Sequence, residues 1–84
     1  MNESSAVEVD GCRVVFDHEG DPTRPSVLLV HGGAAHAGWW SGVAPVLAEG
    51  HHVVRMELSG HGDSGHRLDY GAEQWAREVA TVLR

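Results

Sequence analysis

Three features of this sequence predict an α/β domain built on a parallel sheet. Val27-Leu28-Leu29-Val30 is apolar without alternation, the pattern of a strand covered on both faces. A second strand centred on Val53, Val54 and Met56 completes a strand–helix–strand stretch of about 30 residues, the length of a βαβ unit, whose crossover should be right-handed. Between them Trp39, Trp40, Val43, Ala44 and Leu47 recur at helical spacing.

The remaining elements follow in chain order. Ala6-Val7-Glu8-Val9 alternates apolar and charged, as a half-buried strand does. Asp10-Gly11 is a strong hairpin turn, which makes Cys12 to Phe16 the returning strand. Asp17 to Ser26 is polar, contains Gly20, Pro22 and Pro25, and is expected to be a loop. The helix over Trp39 to Ala48 carries Pro45, which implies a kink or a late start, and Gly50 is a natural stop. The next strand is expected over His51 to Leu58. Ser59 to Asp69 is a second Gly-rich loop, with Asp69 as the candidate N-cap of a last helix. That helix has the apolar stripe Ala72, Trp75, Ala76, Val79, Val82 and Leu83. A helix on a parallel sheet should lead to another strand, so residues 1–84 are expected to form one partial domain with an incomplete sheet.

Composition narrows the function classes. Twelve acids stand against six scattered arginines, giving a net charge of -6 and no basic patch, so nucleic acid is not an expected partner. The N-terminus lacks a signal-peptide pattern and the apolar runs are far short of a membrane span, so a cytoplasmic protein without membrane contact is expected. Cys12 is the single cysteine, which excludes an internal disulfide. No pair among the seven histidines has the helical spacing of a zinc site, and neither metal nor cofactor is expected.

Two loops are candidates for chemistry. After the first buried strand come His31-Gly32-Gly33-Ala34-Ala35-His36-Ala37-Gly38-Trp39-Trp40. Glycines there allow close backbone approach, and the N–H groups of Gly33 and Ala34 are placed to stabilise a developing oxyanion. After the second strand come Glu57-Leu58-Ser59-Gly60-His61-Gly62-Asp63-Ser64. Together with Tyr70 and Trp75-Ala76, these segments resemble the α/β-hydrolase family. In that family one strand ends in His-Gly with a backbone oxyanion donor and a Trp beyond it. The next strand ends in Asp-x-x-Gly-His-Gly-x-Ser, and here Glu57 takes the place of the Asp. The resemblance covers the chain from Val7 onward.

The resemblance implies the N-terminal part of an α/β-hydrolase fold: a β-hairpin, then βαβ and a following helix. It implies a serine hydrolase acting on esters or similar small carbonyl substrates through an acyl intermediate. Gly33 and Ala34 would donate to the oxyanion, while His31, Gly32, His61 and Trp39 would shape the loops or the substrate pocket. Trp39, Trp40 and Trp75 also fit plain core packing. The nucleophile, its acid and its histidine are expected in segments beyond these residues, because no serine here sits in a Gly-x-Ser-x-Gly elbow. The isolated chain is therefore expected to be inactive and to associate through the apolar edge of Val27 to Val30.

Other readings stay open. Members of the fold with an aspartate nucleophile, the dehalogenases and epoxide hydrolases, often carry Asn or Phe-Pro where this chain has Gly33-Ala34. A small non-catalytic binding protein is the rival from another class. Gly60-His61-Gly62-Asp63-Ser64-Gly65 also fits a dinucleotide fingerprint, but no helix is expected to open directly after it.

Overall fold

The computed structural model describes residues 5–31 and 37–83. Strands β1 (Ser5–Val9) and β2 (Cys12–Glu19) form an antiparallel hairpin. Strands β3 (Ser26–Val30) and β4 (His52–Glu57) run parallel, and β4 also pairs antiparallel with β2. The sheet order is β1-β2-β4-β3, so the predicted α/β class and the parallel pair are both present. The hairpin turns at Asp10 and Gly11, whose φ values of 47° and 79° are the left-handed pair that a two-residue type I′ turn requires.

Strand β2 runs three residues further than the sequence predicts, through Asp17, His18 and Glu19. These polar residues sit in a central strand because Asp17 lies directly across from Arg55 of β4. Arg55 Nε–H and Nη2–H donate to the two Asp17 carboxylate oxygens at 2.9 and 2.6 Å. Both side chains are buried, 1% and 3% exposed. The bidentate pair satisfies a charge that would otherwise forbid the position. The hydrogen bond to Asp17 raises the Arg55 pKa further, against the opposing effect of burial.

Strand alternation puts Val15 and Val53 on the same face as this pair, and Val14 and Met56 on the other. There Val9, Val14 and Met56 form the core, with Val7, Phe16, Leu28, Val30 and Leu58 around them. Helix α2 (Ala72–Val82) covers this face through Val79 and Val82. The buried face of α2 is narrower than the expected stripe. Ala72, Ala76 and Leu83 are exposed, and the fully buried residue is Glu78. Asp69 does not cap this helix. Gly71 occupies the N-cap in extended conformation, without a side-chain bond.

The segment expected as one helix over Trp39 to Ala48 is divided. A 3-10 turn spans Ala37–Trp40, and helix α1 begins late, at Ala44–Leu47. Pro45 falls in the first turn of α1, the place where its missing N–H costs nothing. The helix ends before Gly50, with Ala48 as its C-cap. Ala44 is fully buried and α1 contacts β4. Among the described residues no helix is long and apolar enough to cross a membrane.

Candidate functional site

The parallel pairing of β3 and β4 brings their carboxyl ends together, with Val30 beside Met56. In open parallel sheets this is the end where ligands bind. His31 follows β3 directly and is buried. Its Nε2 accepts the Leu58 N–H at 3.1 Å, so this nitrogen carries no proton and the two strand ends are joined. His61 lies over His31, with ring centroids 4.6 Å apart. Its Nδ1–H donates to the Ser59 carbonyl at 3.0 Å. Thus the rings of His31 and His61 are adjacent.

Gly32, Gly33 and Ala34, the expected oxyanion segment, lie outside the described residues. Trp39 is described and is 72% exposed on the 3-10 turn, which corrects the reading of it as core packing. The aromatic at the histidine pair is Trp75, edge-on to His61 at 5.9 Å and stacked on Tyr70 at 6.0 Å. Its Nε1–H donates to the Ser59 carbonyl at 3.3 Å.

The second loop is closed on itself. Gly60 N–H donates to the Gly65 carbonyl at 2.8 Å, and Gly65 N–H to the Arg13 carbonyl at 2.7 Å. Ser64 is buried, accepts the Val15 N–H at 2.9 Å and donates its hydroxyl to the Glu57 carbonyl at 2.5 Å. The motif serine therefore fastens β2 to the end of β4. Glu57 is buried too and accepts the Asp63 N–H at 2.9 Å, its carboxylate passing over Gly62. Gly62 has φ +51°, and a Cβ there would strike that carboxylate. A Cβ at Gly60 would meet the Tyr70 ring at 2.8 Å, and one at Gly65 the Cys12 Sγ at 3.0 Å. Gly60 and Gly62 thus hold left-handed backbone with the chain's own side chains packed over them, and Gly65 lies against Cys12 Sγ and the Arg13 backbone. The chain also leaves Gly65 without entering a helix until Ala72, unlike a dinucleotide fingerprint.

One cluster at this loop was not legible as a site in the sequence. Glu78 of α2 accepts the Ser59 N–H at 2.7 Å and the Ser59 hydroxyl at 2.6 Å. Arg67 pairs with the same carboxylate at 3.0 Å and donates to the Val9 and Asp10 carbonyls at 2.7 and 3.1 Å. The only signal in the sequence was an acid set among the apolar positions of α2.

The comparisons with known proteins agree with this geometry. The family model described as alpha/beta hydrolase fold matches residues 25–84. The chain is 42% identical over 59 residues to a pimeloyl-[acyl-carrier protein] methyl ester esterase of Methylococcus capsulatus, covering 70% of this chain and 23% of that protein. It is 46% identical over 55 residues to the probable oxidoreductase EphD of Mycobacterium tuberculosis, covering 66% of this chain and 9% of that protein. Among solved structures, the thioesterase domain from the curacin biosynthetic pathway superposes with a TM-score of 0.86 at 30% identity, covering 96% of this chain and 32% of that one. The chain thus spans less than a third of each of these relatives. By its family match, its strand order and its paired loop histidines, the chain belongs to the alpha/beta hydrolase fold family.

Proposed function

We propose that this chain is the front part of a serine hydrolase domain that cleaves esters, or thioesters, of small carbonyl substrates. The observation that carries the reading is the His31–Leu58 hydrogen bond beneath the tilted His61 ring, which ties together the two strand ends that flank the pocket in this fold. The relatives whose names read methyl ester esterase and thioesterase support acyl transfer as the chemistry. Ser59 and Ser64 are both engaged in buried structural hydrogen bonds. We therefore take the nucleophile to be a serine in a Gly-x-Ser-x-Gly elbow outside these 84 residues.

In this mechanism the serine attacks the substrate carbonyl, and the carbonyl oxygen becomes an oxyanion that accepts N–H bonds from Gly33 or Ala34. Collapse expels the alcohol or thiol, and water then releases the acid from the acyl enzyme. His31 and His61 hold the loops and take no proton from the nucleophile. Alone, the 84 residues would hydrolyse nothing. The single thiol, Cys12, supports a cytoplasmic setting.

The test is to read the source gene through the codon for Arg84 and, where the frame continues into an elbow, to assay its product on p-nitrophenyl acetate and butyrate. Gly33→Val should lower kcat/KM by about 100- to 1,000-fold, the scale of losing an oxyanion donor. Wild-type turnover in that variant would remove Gly33 and Ala34 from the mechanism. An aspartate in the elbow would redirect the proposal to dehalogenase or epoxide chemistry.

A further inference from the structure

We propose that Glu78 is a positioning residue: from the last helix it fixes the loop carrying His61 against His31. Its catalytic consequence rests on the hydrolase reading above, whereas the positioning itself does not.

Glu78 is fully buried on α2, where packing alone would favour an aliphatic residue beside Val79 and Val82. A buried ion pair is weak ground for stability, since apolar replacements of equal volume are often as stable. What an ion pair supplies that leucine does not is direction. Both carboxylate oxygens of Glu78 are directed at one residue, accepting the N–H and the hydroxyl of Ser59. The third polar atom of Ser59, its carbonyl, accepts from Trp75 Nε1 and His61 Nδ1. Ser59 is thereby held at every polar atom it has.

The position of Ser59 sets two others. Leu58 precedes it, and its N–H is the donor to His31 Nε2. His61 follows two residues later and takes its ring orientation from the Ser59 carbonyl, which puts it over His31 at 4.6 Å. His31 is the residue from which Gly32, Gly33 and Ala34 continue. Arg67 neutralises Glu78 and anchors the assembly to the β1–β2 turn through the Val9 and Asp10 carbonyls. Glu78 thus reaches the candidate site through Ser59 and His61 without touching a reacting atom.

The experiment compares three variants of the full-length protein. R67M/E78M removes the buried charges together and is expected to stay folded, while Ser59 loses its acceptors. E78Q keeps one acceptor oxygen and should recover part of the loss. R77Q, an exposed position on the same helix, serves as the control. On p-nitrophenyl butyrate, R67M/E78M should lower kcat by about 10- to 100-fold, the scale of a misplacement of about 1 Å, with KM within about twofold. NMR of the same proteins should show the protected His61 Nδ1–H and Leu58 amide of the wild type exchanging rapidly in R67M/E78M and unchanged in R77Q. Unchanged kcat with retained protection would overturn the proposal, as would an equal fall in R77Q. Should the wild type cleave no ester, the hydrolase reading fails, and the NMR comparison alone decides whether Glu78 positions the loop.

Discussion

On the β2–β4 side the strands are held by the buried Asp17–Arg55 pair, and the loop after β4 is held to α2 by Glu78. On the side beyond β3, whose two ends are tied to β4 by the Ser26–His52 and His31–Leu58 bonds, the 3-10 turn and α1 leave Trp39, Val43 and Val46 exposed at 72%, 45% and 65%. The first side is closed by directional bonds that name their partners. The second presents apolar surface, which is non-directional and gains from any cover of matching shape. The chain therefore fixes the His61 loop with its own directional bonds, while Trp39, Val43 and Val46 lie exposed on the other side.

This comparison can be broken most directly at the Asp17–Arg55 pair. Asp17→Ala should cost about 3–5 kcal/mol, because it leaves Arg55 buried and unpaired. A domain stabilised by roughly 0.05–0.15 kcal/mol per residue has little margin for that loss. The double replacement D17L/R55L should restore most of the stability. Urea denaturation of both variants checks this, and an equal loss in the double variant would show that direction is not what the pair supplies.

Glycines on the two sides should respond with opposite sign. Gly62→Ala on the bonded side is expected to cost about 1–3 kcal/mol through its left-handed backbone and the Glu57 carboxylate. Glu57→Asp, which shortens that carboxylate, should recover part of the cost. Gly42→Ala precedes α1, meets nothing and has no positive φ, so it should gain about 0.4–1 kcal/mol. Thermal melts of the three proteins measure this contrast.

A smaller effect is expected at Trp39. Trp39→Ser should change stability by no more than about 0.5 kcal/mol, because the side chain is already exposed. It should nevertheless reduce self-association in sedimentation velocity. Undiminished association would shift attention to the β3 edge.

The smallest effect is expected at Asp10. Hydrogen bonds from Gln74 and then Arg77 hold its carboxyl below the ordinary 3.8. A folded pKa below the unfolded one stabilises the protein above the unfolded value, and the contribution is lost as pH falls through the folded value. Asp10→Asn should therefore melt slightly lower than wild type at pH 7, and the gap should close in acid. A gap that widens in acid would reverse the assignment.

Much of this was legible in the residues. Asp10-Gly11 specified its turn because few other pairs tolerate two left-handed residues. His31 and His61 were paired as loop-shaping residues by family resemblance, and the structure brings them into ring contact. Asp17 was misread because its polarity matches a loop as well as half of a buried ion pair, and its partner lies 38 residues away. Glu78 was passed over for the same reason, since its partner Ser59 is 19 residues distant.

The sequence by itself determined the α/β class, the βαβ unit and the family, because those depend on period, turn chemistry and motif order, which are local properties. Only the tertiary structure decided which charged residues are buried, that Trp75 rather than Trp39 faces the histidine pair, and that Tyr70, Glu57 and Cys12 pack against Gly60, Gly62 and Gly65. The reason is physical. A charge or an aromatic ring can be stable in water or in a core, and the choice is made by the partner that folding brings to it.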